Sequence, residues 1–207
     1  MLKNVEHPNI VKYYGFVESD DQTEASIFME LMPHSLQTSY ENFGPMNEAI
    51  LRRHTRQILE ALCYLHNHEK KIIHGDLKAA NILYDGKNVK LTDFGDARQM
   101  QKKLPTIMNV SHSGVIYQDI KGSILWMAPE VIKQNPVGTR SDIWSLGCLL
   151  IELATACKPW PDIQDLGHLF SLILNKETPP IPDYLSRDAQ EFIRACLQYD
   201  KNDRPSA

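Results

Sequence analysis

Between Ser141 and Thr155 the chain is apolar on nearly every face, through Ile143, Trp144, Leu146, Cys148, Leu149, Leu150, Ile151 and Leu153. A helix without a polar face has to be surrounded by protein, so this segment predicts the centre of a helical body. Pro45–His68 predicts a second helix. Asn47 reads as its N-cap, Glu48 suits the first turn, and Leu51, Thr55, Ile58, Leu62 and Leu65 recur at helical spacing. Proline-rich breaks at 159–161 and 179–182 set off two more helices, near Asp165–Leu174 and Arg187–Gln198. Ahead of these, Ile10–Val17 and Ala25–Met32 read as β-rich runs joined by a polar turn at Glu18–Glu24. Asn81–Tyr84 turns at Asp85-Gly86 and returns as Val89–Leu91. Ser35–Gly44 reads as a loop, and Gln99–Lys121 as a mobile one.

A hydrophobic content of 43% with 23% charged residues excludes a disordered chain. A net charge of −4 argues against nucleic acid or an anionic membrane as partner. The longest apolar run, Leu146–Ile151, stops at Glu152, far short of the ~18 residues of a membrane span. Met1-Leu2-Lys3-Asn4 opens no secretory signal, and the expected location is cytoplasmic. Cys63, Cys148, Cys157 and Cys196 are widely spread without C-x-x-C spacing, which predicts reduced core thiols. His66-Asn67-His68 reads as a helix end in solvent rather than a metal pair, since no third ligand is near.

Three motifs carry chemistry: His74-Gly75-Asp76-Leu77-Lys78-Ala79-Ala80-Asn81, then Asp93-Phe94-Gly95, then Ala128-Pro129-Glu130. A lone Asp after Gly is often only a turn former, and Asp-Phe-Gly alone says little. In this order they match the parts of phosphoryl transfer. Asp76 is placed to accept a hydroxyl proton, and Lys78 to set a cation against a transferring phosphate. Asn81 and Asp93 offer oxygens to a hard divalent ion. Glu130 and Asp142 stand where burial demands partners. Arg204 is the expected partner of Glu130, and the backbone around Asp76 that of Asp142.

On these residues the chain resembles the eukaryotic protein serine/threonine kinases, and more narrowly the MAP kinase kinase kinases of the MEKK type. Further support lies in His7-Pro8-Asn9-Ile10-Val11-Lys12-Tyr13-Tyr14-Gly15, Ile27-Phe28-Met29-Glu30, Thr55–Glu60 and Trp126-Met127-Ala128-Pro129-Glu130. The resemblance implies an α+β, protein-kinase-like fold. Residues 1–32 would be a remnant of the β-rich N-lobe (the end of a helix and two strands, with the hinge at its end). Residues 33–207 would be a mostly helical C-lobe lacking its last helix. It implies ATP and Mg²⁺ as cofactors, with Asp76, Lys78 and Asn81 catalytic and Asn81 and Asp93 holding the metal. Met29 would be the gatekeeper, Glu30 and Met32 the adenine-binding hinge, and Leu83 the floor under the base, with Lys78 and Asp93 on the phosphate side. Ser123 would stand in the substrate-binding loop. The implied acceptor is another protein, a MAP kinase kinase.

The departures are as specific as the matches. No G-x-G-x-x-G loop and no V-A-I-K strand occurs in the 207 residues, and the resemblance puts the lysine and its glutamate partner ahead of Met1. The chain therefore reads as truncated at both ends, and these residues alone as catalytically silent. A truncated or pseudokinase isoform acting as a binding module is the alternative. Gly75 replaces the Arg usual before Asp76, so a phosphate on Thr106, Ser111 or Ser113 would lack its clamp.

Overall fold

The segment without a polar face is a helix, and the other elements are built around it. The computed structural model describes residues 5–19, 24–95, 97–99, 123–133, 135–163 and 165–207. In chain order these form β1 (Tyr13–Glu18), β2 (Ala25–Met29), β3 (His34–Ser35), α1 (Leu36–Phe43), α2 (Glu48–Asn67) and β4 (Ile72–Ile73). There follow β5 (Ile82–Tyr84), β6 (Val89–Leu91), β7 (Arg98–Gln99), α3 (Pro129–Ile132), α4 (Thr139–Thr155), α5 (Leu166–Leu174) and α6 (Arg187–Cys196). Strands sit mainly at the front of the chain and helices behind, an α+β arrangement.

Every residue of α4 from Ser141 to Ala154 is buried, and α1, α2 and α6 pack against it. Helix α2 turns Leu51, Ile58, Leu62 and Leu65 into the same core, and its Asn47 side chain caps the Ile50 amide at 3.0 Å. Gly147 explains the close approach of α4 and α6. A Cβ there would lie 2.9 Å from Leu197 side-chain carbons and 3.0 Å from the Cys196 Cβ.

Among the described residues, three small antiparallel sheets complete the fold: β1–β2, β3–β5–β6 and β4–β7. The β1–β2 hairpin pairs Phe16 with Ile27 and slips register between Tyr13 and Gly15. Tyr14, Phe16, Val17, Ile27 and Phe28 are all exposed, so the hairpin is open on both faces. It is joined to the body by the segment before it. The Val11 amide donates to the Leu91 carbonyl at 2.9 Å, and the Leu91 amide to Asn9 at 2.8 Å.

Several expectations are corrected. The strands are shorter and shifted, Tyr13–Glu18 and Ala25–Met29 rather than Ile10–Val17 and Ala25–Met32, and residues 20–23 of the turn lie outside the described residues. The stretch 35–44 is not a loop but helix α1. Ser35 caps it through Thr38 at 3.1 Å, Leu36 is wholly buried, and Gly44 (φ +78°) closes it by donating to Tyr40. The cap and terminal glycine were legible, but only one side chain of the helix is buried, so no apolar period announced it. Gln99 belongs to β7, and residues 100–121 of the expected mobile loop lie outside the described ones. Cys148 and Cys196 are core thiols, raised by burial, the latter to about 12. Cys63 is only partly buried and Cys157 is exposed; all four thiols are free.

Candidate active site

The segment 74–81 leaves β4 and is pinned from beneath by the polar residues of α4. Asp142 accepts the His74 amide on Oδ2 and the Gly75 amide on Oδ1, each at 2.9 Å. His66 of α2 adds its Nε2 to Asp142 Oδ2 at 2.7 Å. Burial disfavours the Asp142 carboxylate, but His66 and the backbone donors hold it below its ordinary value. His66 is thus a partly buried partner of Asp142 and not a solvent-facing helix end, because α2 and α4 pack together there. Gly75 has φ +82°, a left-handed geometry that glycine adopts without steric cost.

Held this way, three predicted side chains converge. Asp76 Oδ2 accepts from the Lys78 ammonium at 2.7 Å and from the Asn81 amide at 2.8 Å. The Asn81 nitrogen also donates to the Asp76 carbonyl at 2.9 Å, leaving the Asn81 side-chain oxygen as the atom for a cation. Asp76 Oδ1 is buried and has no hydrogen-bond partner among the described residues. Lys78 reaches onward to Ser123 Oγ at 2.5 Å. The arrangement offers a carboxylate oriented through one oxygen and unpartnered at the other, beside a cation that touches a second loop.

Asp93 is brought near by backbone. The Thr92 amide donates to the Asn81 carbonyl at 3.0 Å, and the His74 ring bridges the two segments. Its Nδ1 accepts the Asp76 amide at 3.3 Å while Nε2 meets the Thr92 carbonyl at 3.0 Å. Those contacts assign a neutral ring protonated at Nε2. Asp93 itself is exposed, with φ +59° and one oxygen accepting the Gly95 amide at 3.2 Å. The Asn81 side-chain oxygen and the Asp93 carboxylate are the groups that could hold a hard cation such as Mg²⁺.

The remaining predicted residues form a separate strip. Met29 ends β2 and is 45% exposed, and Met32 lies just beyond it, partly buried. The Glu30 amide donates to Lys12 at 2.8 Å. The Glu30 carboxylate grips Lys90 at 2.7 and 2.8 Å, which with the Lys12 amide holds it below its ordinary value despite burial. Lys90 of β6 is the cross-strand partner of Leu83 on β5, so this ion pair ties the strip to the sheet carrying the expected floor. Sequence reasoning missed Lys90, His66 and Glu152 because each acts through a contact distant in the chain. For Lys90 and Glu152 the one signal was charge in a strand-like or apolar run; His66 had none.

The Glu130–Arg204 pairing is present, with Arg204 only 1% exposed and donating to both Glu130 oxygens at 2.7 and 2.8 Å. Comparison with known sequences then gives one decisive match: the protein kinase domain, over residues 1–207. The chain belongs to the protein kinase domain family. This kinase domain is also similar to MAP kinase kinase kinases. It is 43% identical over 210 residues to mitogen-activated protein kinase kinase kinase ANP1 of Arabidopsis thaliana, covering 100% of this chain and 30% of that protein. It is 40% identical over 209 residues to MST11 of Pyricularia oryzae, covering all of this chain and 22% of that one. Against serine/threonine-protein kinase STE11 of Saccharomyces cerevisiae the identity is 39% over 209 residues, with 28% of that protein covered. The chain spans less than a third of the length of these curated relatives. Among the described residues no helix is long and apolar enough to cross a membrane.

Proposed function

We propose that this kinase domain transfers the γ-phosphoryl group of ATP to a serine or threonine of a protein acceptor, and that its place is a MAP kinase cascade with a MAP kinase kinase as acceptor. One observation carries the reading: Asp76 is steered through Oδ2 by Lys78 and Asn81 while Oδ1 has no partner among the described residues. That unpartnered oxygen is where an acceptor hydroxyl would bind and surrender its proton. Lys78 would then face the phosphoryl oxygens, where charge accumulates during transfer. Asn81 and Asp93 would hold Mg²⁺, which neutralises the phosphates. Met29, Glu30, Met32 and Leu83 would receive adenine. Ser123, against Lys78, would border the acceptor. The relatives' names support the choice of cascade, and a cytoplasmic location would follow from it.

The second reading, a catalytically silent binding module, draws on the absence of G-x-G-x-x-G and V-A-I-K from the 207 residues. One experiment separates the two. The chain is assayed for labelled phosphate transfer from ATP·Mg²⁺ to a protein acceptor, alone and fused behind a protein-kinase segment that carries G-x-G-x-x-G and V-A-I-K. The chain alone is expected to be silent and the fusion active, with activity lost in Asp76→Asn. A folded, nucleotide-binding fusion without transfer would support the module instead.

A further inference from the structure

Glu152 is 2% exposed, yet no cation is bonded to it among the described residues. Its partners are three neutral donors from three parts of the chain. Oε2 accepts the Ala79 amide at 3.1 Å and the Trp126 indole N–H at 2.9 Å. Oε1 accepts the Tyr40 hydroxyl of α1 at 3.0 Å. Burial pushes the Glu152 carboxyl up, and these donors offset only part of that. A buried carboxylate with no cation directly bonded to it, helped only by the more distant charge of Lys78, is costly, so its placement asks for a reason beyond packing.

Its position in the chain supplies one. Ala79 directly follows Lys78, and Trp126 closes the short turn Ile124–Trp126 that begins after Ser123. The 2.5 Å contact between Lys78 and Ser123 is therefore flanked on both sides by groups bonded to one oxygen of Glu152. Ser145, two turns earlier on the same face of α4, accepts no part of this load but fixes the Trp126 carbonyl at 2.8 Å. Trp126 is thus held by α4 at its backbone and its ring. Tyr40 brings α1 into the same node through the other oxygen.

We propose that Glu152 is a positioning residue that sets the Lys78–Ser123 contact from behind, and that Tyr40 couples α1 to it. That this contact borders a phosphate acceptor rests on the function proposed above, whereas the coupling itself does not. Tyr40→Phe removes one hydroxyl and keeps the ring, so the 207-residue chain is expected to stay folded, with a Tm change of about 3 °C or less. Two readouts follow in the intact chain: the indole ¹H–¹⁵N resonance of Trp126, assigned through Trp126→Phe, and hydrogen exchange at the Ala79 amide.

Tyr40→Phe is expected to shift the Trp126 resonance and speed Ala79 exchange about fivefold, the effect of one weakened hydrogen bond. The Trp144 and Trp160 indole nitrogens have no hydrogen-bond partner among the described residues, and their resonances should stay in place. Glu152→Gln should move both readouts further. If Tyr40→Phe leaves both unchanged while Glu152→Gln moves them, the coupling to α1 is refuted. If neither variant moves them, the positioning role falls as well. No turnover is needed, so absent phosphate transfer by the fusion would count against the proposed function and not against this node.

Discussion

Glu130 and Arg204 meet fork to fork across 74 residues of chain, at 2.7 and 2.8 Å. The remaining guanidinium donors reach the carbonyls of Gln198, Arg140 and Tyr199 at 2.7 to 3.1 Å. Arg204 also lies over the Trp144 ring at 5.2 Å. The pair locks the segment after Ala128 to the end of the chain, beneath α4.

Removing one partner leaves the other buried and unpaired. Arg204→Met is expected to cost about 3–5 kcal/mol, and Arg204→Lys most of that, since an ammonium cannot reproduce the fork. Burial disfavours the Glu130 carboxylate, but Arg204 and Ser141 hold it below its ordinary value of 4.5. Its stabilisation is thus present above that value and lost as pH falls below it. Urea unfolding of both variants measures the loss. A change under about 1 kcal/mol, the range of surface pairs, would refute a buried role.

In the active fusion, Asp76→Asn is expected to lower kcat about 10²–10⁴-fold with little change in the KM for ATP. The reason is that Asp76 contacts Lys78 and Asn81 rather than the Met29–Met32 strip. Asp93→Ala should instead weaken metal-dependent nucleotide binding. Equal effects of the two variants on KM for ATP would contradict this division, and steady-state kinetics decides.

His54 titrates in a separate window. It is 3% exposed, meets the Tyr84 ring edge-on at 5.2 Å, and its Nδ1 has no partner among the described residues. Burial, with repulsion from Arg53, pushes its pKa from 6.5 down to about 4. Between those values the unfolded chain binds a proton that the folded chain refuses, so stability falls as pH falls from 6.5 towards 4. The full loss is about 3 kcal/mol. His54→Phe keeps the ring and should flatten the urea midpoint across this window; an unchanged slope would place the titration elsewhere.

Gly147→Ala reverses the usual sign of that exchange. In an ordinary helix interior it stabilises by about 1 kcal/mol. Here the new methyl meets the Leu197 side chain at 2.9 Å and the Cys196 Cβ at 3.0 Å, and overpacking costs about 1–3 kcal/mol. A lowered Tm is expected. A raised one would mean that α4 and α6 part easily.

The sequence alone determined the elements whose signal is local. The all-apolar run demanded the buried helix α4, Asn47 and the apolar period announced α2, and the spacing of Asp76, Lys78 and Asn81 placed three groups within one short loop. Glu130 with Arg204 was legible because each buried charge required the other. Tertiary structure decided the rest, because those contacts join residues that no window of sequence compares. Helix α1 has one buried side chain and no period to read, and it is held in part by Tyr40 reaching Glu152 across 112 residues. His66 looked like a frayed helix end until Asp142 came within 2.7 Å. Polar groups on a buried helix carry no label for their partners. The Asp142 contact with the backbone before Asp76 was expected from its burial, but only packing shows that Ser145 and Glu152 also hold the loops of the site, since a hydrogen bond depends on separation in space and not along the chain.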